Sequence, residues 1–224
     1  AASDVYKRQA VASQALACRE GTPEDMLKAM RLYRAVKRIC KEEKLSAVTL
    51  SCFKIIEQIG TTGCLALAML NDEGILAGCE GDLQSIFTLL AAKALTGKAG
   101  FMANPSMINA RTNEIILAHC TVGLKQTEKY VIRNHFETET GIGIQGILPT
   151  GDVTILKCGG ECLDEYYLST GTLTENTNYI NMCRTQVRVK LDTPADYFLK
   201  NPLGNHHILI HGNYEMVLNE LSLI

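Results

Sequence analysis

Apolar residues in the first hundred positions follow two alternating periodicities. After the capping sequence Thr22-Pro23-Glu24-Asp25, apolar residues recur at helical spacing, which predicts a helix to about Lys44. Short apolar runs with β-branched residues predict buried strands, and two further apolar segments predict helices, the second ended by Gly97. These elements are strands over 47–52 and 75–79 and helices over 64–70 and 83–96. Helix alternating with strand predicts an α/β layer built on a parallel sheet.

The pattern changes at about Gly100, where strand-like segments separated by turn residues take over. These segments cover 114–118, 143–148, 153–157, 186–191 and 207–211, and helical periodicity returns at 215–221. We therefore predict an α/β fold followed by mostly antiparallel β structure. Residues 1–98 are assigned to the C-terminal part of a Rossmann-like α/β domain, and residues 99–224 to a β-rich, barrel-like domain.

Composition narrows the class of protein. The 224 residues carry a net charge of −2, so no basic excess favours nucleic-acid binding, and no apolar run reaches the roughly 18 residues of a membrane span. Nine cysteines without a CxxC pair are typical of reduced thiols in a cytoplasmic enzyme rather than of a disulfide framework. Residues 1–9 lack an initial Met and resemble translated adapter sequence. We give them no functional weight and expect the chain to be the C-terminal piece of a longer protein.

Two carboxylates follow the predicted strand over 75–79, in the sequence Gly78-Cys79-Glu80-Gly81-Asp82. Open α/β sheets bind ligands at the carboxyl ends of their strands, and an acidic pair there suits a hard divalent cation. The alternative is structural, with Asp82 capping the following helix and Glu80 solvated. Glu80 is therefore the better candidate ligand, and Asp82 the better candidate cap.

Histidines form the second candidate group. Three of the five lie between positions 206 and 211. In a strand, His207 and His211 share one face and His206 takes the other, and their concentration favours a metal site. His119 follows the apolar run at 115–118, a placement shared by functional and by buried structural histidines.

Other motifs carry less weight. The segment His135-Phe136-Glu137 is interpreted as a surface turn. The sequence at 141–146 spells G-x-G-x-x-G, but it lies in the β half with no helix opening from it, so we interpret it as strand and turn glycines. The sequence contains neither a P-loop nor a G-x-S-x-G elbow.

Several segments, in order, resemble the L-fucose/L-arabinose isomerase family from about residue 45 onward. They are Cys79-Glu80-Gly81-Asp82, Gly100-Phe101-Met102-Ala103-Asn104-Pro105, Leu117-Ala118-His119-Cys120-Thr121, His135-Phe136-Glu137-Thr138, Gly151-Asp152-Val153-Thr154 and Asn205-His206-His207. The resemblance implies a three-domain subunit in a homo-oligomer. It also implies Mn²⁺-dependent interconversion of an aldose and a ketose through an enediol, with a small-molecule sugar as the partner.

The resemblance further implies roles for individual residues. The family's glutamate ligand falls on Glu80, which would act as ligand and base with help from Asp82, and its histidine ligand falls on His206 or His207. Its aspartate ligand falls on Asn104, a neutral residue that lowers the negative charge of the site and is expected to weaken metal binding. The predicted sugar contacts are His119, Asn104 and His211.

Three functions remain open at this level. The first is a metal-dependent sugar isomerase, which we do not expect to be active as this fragment alone. The second is a sugar-binding or regulatory relative without turnover, suggested by Asn104. The third is another metalloenzyme, such as a hydrolase that uses His206, His207 and His211.

Overall fold

A computed structural model describes residues 2–219 of the chain. Its helices are α1 (Ala2–Gln14), α2 (Pro23–Glu42), α3 (Cys52–Ile59), α4 (Cys64–Asp72), α5 (Leu83–Thr96), α6 (Tyr197–Lys200) and α7 (Glu215–Leu218). Its strands are β1 (Ala17–Cys18), β2 (Ala47–Thr49), β3 (Leu76–Gly78), β4 (Phe101–Asn109), β5 (Glu114–His119), β6 (Lys129–Arg133), β7 (Gly143–Ile147), β8 (Gly151–Gly159), β9 (Glu165–Asn176), β10 (Thr185–Leu191) and β11 (His207–His211). The end of the helix predicted over 215–221 lies outside the described residues.

Helix α2 begins where its capping sequence predicts. The Thr22 side chain accepts from the Asp25 N–H, the Asp25 carboxylate accepts from the Thr22 N–H, and Pro23 occupies the first turn. The face that includes Met30 and Tyr33 is buried against α4. Every residue from 64 to 70 in α4 is buried, which explains its uninterrupted apolar sequence.

Strands β2 and β3 form a parallel pair in which Thr49 lies opposite Gly78. The strand predicted over 47–52 is too long, because β2 ends at Thr49 and Cys52 is already the first residue of α3. Helix α3 was not predicted. It ends at Gly60, whose left-handed backbone (φ 59°) favours glycine. The described residues of this layer contain one parallel pair, so a wider Rossmann-like sheet stays a prediction.

Six strands close into an antiparallel barrel in the order β10-β5-β4-β11-β8-β9, which confirms the predicted barrel-like part. Strand β4 was not predicted, because it contains Pro105 and its register shifts between Pro105 and Met107. Strand β9 escaped prediction because its residues are largely polar. A small third sheet pairs β1, β6 and β7, and Gly143 and Gly146 are strand glycines within β7.

One hydrophobic core runs through both halves of the described chain. Helix α5 packs on β8 and β11, and Thr88 in α5 accepts a hydrogen bond from the Cys158 N–H. This packing brings the carboxyl end of β3 next to the start of β11. None of the helices in the described part of the chain combines the length and apolarity that a bilayer crossing requires.

Candidate metal centre

The loop after β3 presents both predicted carboxylates. Glu80 has a left-handed backbone (φ 60°), which costs a non-glycine residue about 1 to 3 kcal/mol. Asp82 caps α5, because its carboxylate accepts from the Ser85 N–H at 2.8 Å and from the Ser85 hydroxyl at 2.6 Å. The sequence pattern predicted this cap. The Glu80 side chain is about one-third exposed and takes no part in the cap.

His206, immediately before β11, meets both carboxylates. Its Nδ1 lies 2.9 Å from an Asp82 oxygen, and because a carboxylate only accepts, Nδ1 carries the proton and donates it. Its Nε2 lies 3.7 Å from a Glu80 oxygen, too far for a hydrogen bond. The fold thus joins an acidic pair from the α/β half to an imidazole from the barrel, 124 positions away from Asp82.

The three groups shift one another's pKa values toward the charged forms. Burial alone would raise the pKa of Asp82, but hydrogen bonds from His206 and Ser85 outweigh it and lower that pKa. The contact with His206 lowers the pKa of Glu80 against the opposing effect of burial. Burial would lower the pKa of His206, yet the two carboxylates raise it on balance. Both carboxylates are therefore ionised at neutral pH.

A buried lysine that sequence reasoning missed supports this arrangement. Lys157 in β8 is fully buried, and its Nζ donates to the Ser85 hydroxyl at 2.9 Å and lies 3.6 Å from an Asp82 oxygen. Burial lowers its pKa, and Asp82 opposes that shift. A lysine in a strand carries no sequence signal of this role, because its partners lie 72 and more positions away.

Two of the unpaired buried side-chain atoms in the described chain belong to residues near Glu80. The Asn104 Oδ1 and the His206 Nε2 are both buried and have no hydrogen-bond partner among the described residues. Leaving such atoms unpaired is costly, which favours a site that receives a ligand. Asn104 lies opposite Ala118 in the β4–β5 ladder, one residue from His119.

His119 completes the cluster. Its ring centroid lies 5.2 Å from that of His206, and its Nδ1 is 2.8 Å from the Thr121 hydroxyl. Potential ligand atoms of Cys79, Glu80 and His119 all lie within 4.8 Å of one another. Burial, aided by His206, lowers the pKa of His119 to about 4, so its imidazole is neutral at pH 7 and its free nitrogen can act as an electron-pair donor.

His207 and His211 point elsewhere. The His207 Nε2 lies 3.0 Å from the Tyr197 hydroxyl, and the ring packs against Tyr167 and Phe198. His211 ends β11, about 13 Å along the strand from His207. The structure therefore brings together Glu80, Asp82, Asn104, His119 and His206, and it leaves His207 and His211 outside this group.

A narrow cleft of about 50 Å³ leads to Glu80. His135 and Glu137 line this cleft. Their segment forms a turn, as the sequence predicted, but the turn faces the cleft. Phe53 from α3 packs edge-on to His135. The other lining residues are Cys52, Ile56, Thr62, Cys64, Cys79, Asn104, His119, Cys120 and Cys183. Larger grooves of about 490 Å³ along α1 and α2 lie away from this cluster.

The donor set suits a divalent cation. Glu80 offers a carboxylate oxygen, Asn104 an amide oxygen and His206 an imidazole nitrogen, a mixture that matches first-row ions such as Mn²⁺. Asp82 would orient His206 through Nδ1, the usual arrangement around a metal-bound histidine. The cleft has room for a cation with a few waters.

Several curated proteins are similar in sequence to this chain. No family model matches the chain. Sulfoquinovose isomerase from Alkalicoccus urumqiensis is 23% identical over 206 residues, which cover 84% of this chain and 44% of that protein. Sulfoquinovose isomerase from Clostridium sp. (strain MSTE9) is 32% identical over 111 residues, 49% of this chain and 25% of that protein. The protein of that name from Priestia aryabhattai is 22% identical over 133 residues, 54% of this chain and 29% of that protein.

These relatives make the chain similar to sugar isomerases as a class. The particular name they carry is sulfoquinovose isomerase, so the resemblance seen in the sequence is supported for isomerases in general and not for L-fucose or L-arabinose isomerase specifically. The chain spans less than half the length of the curated relatives it matches.

Proposed function

We propose that this chain carries the metal-binding part of an aldose–ketose isomerase. The observation that supports the proposal most strongly is the meeting of Glu80, Asp82 and His206 at the end of β3. The similarity to curated sugar isomerases supports it independently. We propose Mn²⁺ as the cation, with Glu80, Asn104 and His206 as its protein ligands.

The reaction requires a base that moves a proton between C1 and C2 of the sugar. Glu80 is suited to this role because it is ionised and its side chain is about one-third exposed at the cleft. When bound, the cation would supply positive charge that stabilises the enediolate and would orient the two sugar oxygens. Asp82 would hold the His206 ring in place through its hydrogen bond. His119 and Asn104 line the same cleft as Glu80, where they would contact the sugar.

The sugar itself is part of the proposal. Sulfoquinovose is the first substrate to test, because the relatives carry its name. L-Fucose and L-arabinose are the comparison substrates suggested by the sequence segments. His211 lies outside the cluster, so we no longer include it among the sugar contacts.

A second candidate is a sugar-binding relative without turnover. It is favoured by Asn104, which provides a neutral oxygen where the resemblance implies an aspartate. The hydrolase alternative requires His206, His207 and His211 to share one site. The His207 ring instead packs among aromatic rings, away from the carboxylates that His206 contacts, so this alternative is not favoured. Tight binding of sulfoquinovose by the Mn²⁺-loaded intact protein without ketose formation would establish the second candidate and exclude the first.

The decisive test compares two glutamine substitutions in the intact protein. Glu80→Gln removes the proposed ligand and base, so we expect bound Mn²⁺ to be lost and ketose formation to fall by about 10²- to 10⁴-fold. The control is Glu57→Gln, which changes an exposed carboxylate on α3. Metal content, ketose formation and circular dichroism are measured for each. Retained Mn²⁺ and turnover in Glu80→Gln would remove Glu80 from the site.

A further inference from the structure

Two buried thiols meet beside the candidate metal centre. The Sγ atoms of Cys52, the first residue of α3, and Cys79, the residue before Glu80, are 2.7 Å apart. All nine cysteines are free thiols. Cys52 and Cys79 are 7% and 5% exposed, and both line the cleft that leads to Glu80. They are therefore close together and open to a small solute.

The backbone fixes this approach. Both cysteines follow the carboxyl ends of the parallel pair β2 and β3. The Leu50 N–H donates to the Gly78 carbonyl at 3.2 Å, and the Gly81 N–H donates to the Leu50 carbonyl at 3.1 Å. On another side, Cys52 packs against Gly63, where an added Cβ would come within 3.2 Å of the sulfur. These backbone hydrogen bonds therefore hold the two segments that carry Cys52 and Cys79 next to each other.

The spacing favours a sulfur–sulfur bond over a shared soft metal. Two thiolates on one tetrahedral zinc stand about 3.8 Å apart, given Zn–S bonds of about 2.3 Å. A disulfide requires about 2.05 Å. The observed 2.7 Å lies closer to the second distance. The same cleft is lined by three further thiols, Cys64, Cys120 and Cys183. Identifying which two cysteines become bonded therefore tests the assignment sharply.

We propose that Cys52 and Cys79 are an oxidation site that forms a reversible disulfide on reaction with hydrogen peroxide. One thiol takes an oxygen atom from the peroxide and becomes a sulfenic acid, and water leaves. The sulfur of the other thiol attacks the sulfenic sulfur, the S–O bond breaks, the S–S bond forms and a second water leaves with the thiol proton. The two thiols lose two electrons in total, and one peroxide molecule is reduced to two waters.

The position of this bond matters because Cys79 directly precedes Glu80. A disulfide would tie the loop after β3 to the start of α3. The chemistry is independent of sugar turnover, so it can succeed or fail separately from the proposed function. Its readout is a covalent bond and not an activity.

The experiment uses the intact protein carrying Cys18→Ser and Cys162→Ser, which remove the two exposed thiols. The protein is treated with a small excess of hydrogen peroxide, alkylated without reduction and analysed by peptide mass spectrometry. We expect a peptide pair joined through Cys52 and Cys79, a loss of two alkylatable thiols per chain, and their full recovery with dithiothreitol. Adding Cys52→Ser or Cys79→Ser is expected to abolish the loss, whereas Cys40→Ser, at a buried site in α2, is expected to leave it unchanged.

Several results would overturn the proposal. They are a bond among Cys64, Cys120 and Cys183 instead, oxidation to sulfinic or sulfonic acids without any bond, or bound zinc that is released only when the two thiols are alkylated. The peptide map of the protein with Cys52 and Cys79 intact decides between these outcomes even if a serine variant fails to fold.

Discussion

At the scale of residues, the alternation of side chains along a strand separates two adjacent histidines. His206 meets Asp82 and Glu80, while His207, one position later, packs against Tyr197 and its aromatic neighbours. Consecutive side chains of an extended chain point to opposite sides. Adjacent residues therefore have different environments: His206 is a candidate metal ligand, and His207 is a residue of the core.

Matched substitutions test this division. His206→Gln removes a proposed metal ligand. It is therefore expected to weaken Mn²⁺ binding by more than roughly 10- to 100-fold, which is the loss typical of removing a residue that only supports a metal ligand. His207→Gln is expected to leave binding unchanged and to lower the free energy of unfolding by about 1 to 3 kcal/mol, because a buried hydrogen bond and ring contacts are lost. Titration calorimetry and thermal unfolding measure the two effects. The reverse pattern would assign the ligand to His207.

Asp82 and Lys157 provide a second test at this scale. Both Asp82→Asn and Asp82→Ala leave the buried Lys157 without its carboxylate, but the asparagine retains an acceptor for the Ser85 N–H, whereas the alanine removes the cap. We expect the alanine variant to lose about 0.5 to 2 kcal/mol more stability than the asparagine variant. Adding Lys157→Met to Asp82→Ala is expected to recover part of the loss, because an uncompensated buried charge is removed. Urea unfolding of the four proteins checks both differences, and a double variant less stable than Asp82→Ala would contradict this account.

At the scale of elements, one carboxylate ties three helices together. Glu73, which caps the end of α4, accepts from Tyr33 at 2.6 Å and pairs with Lys37 at 2.5 Å and Lys7 at 3.1 Å, which lie on α2 and α1. Burial alone would raise the pKa of Glu73, but the hydrogen bonds from Lys37, Tyr33 and Lys7 outweigh it and lower the pKa to about 2.

This network predicts a dependence of stability on pH. The pKa of Glu73 is lower in the folded chain than its usual value near 4.5, so its contribution is complete above that value and is lost as the pH falls toward 2. We expect Glu73→Gln to be less stable at pH 7 and to lose less additional stability between pH 4.5 and 2 than the unmodified protein. Unfolding free energies across this range provide the measurement. The control is Glu161→Gln in an exposed loop, and parallel curves for Glu73→Gln and the unmodified protein would refute the role of the network.

At the scale of the whole molecule, the two predicted domains share their packing. Leu89 of α5 and Ile208 of β11 both crowd Gly100, where an added Cβ would contact them. Leu89 is 1% exposed, whereas its neighbour Leu90 is 38% exposed. The boundary near residues 98 and 99 therefore separates two stretches of sequence that contribute to one core.

The shared core predicts a single unfolding transition. Leu89→Ala is expected to lower the free energy of unfolding by about 2 to 5 kcal/mol and to move the entire transition. Leu90→Ala is expected to have an effect within about 0.5 kcal/mol. Calorimetry distinguishes the cases, and two separate transitions, with the barrel unaffected by Leu89→Ala, would mean that the halves unfold independently.

Local signals in the sequence determined the caps of α2 and α5, most helices before Gly100, strand β11 and the acidic pair after β3, because each depends on residues within a few positions of one another. The tertiary structure decided the closure of the barrel, the placement of His206 rather than His207 beside Asp82, the position of Lys157 beside that carboxylate and the meeting of Cys52 with Cys79. Those features depend on packing between side chains 27 to 124 positions apart, and periodicity carries no information about which distant side chains meet.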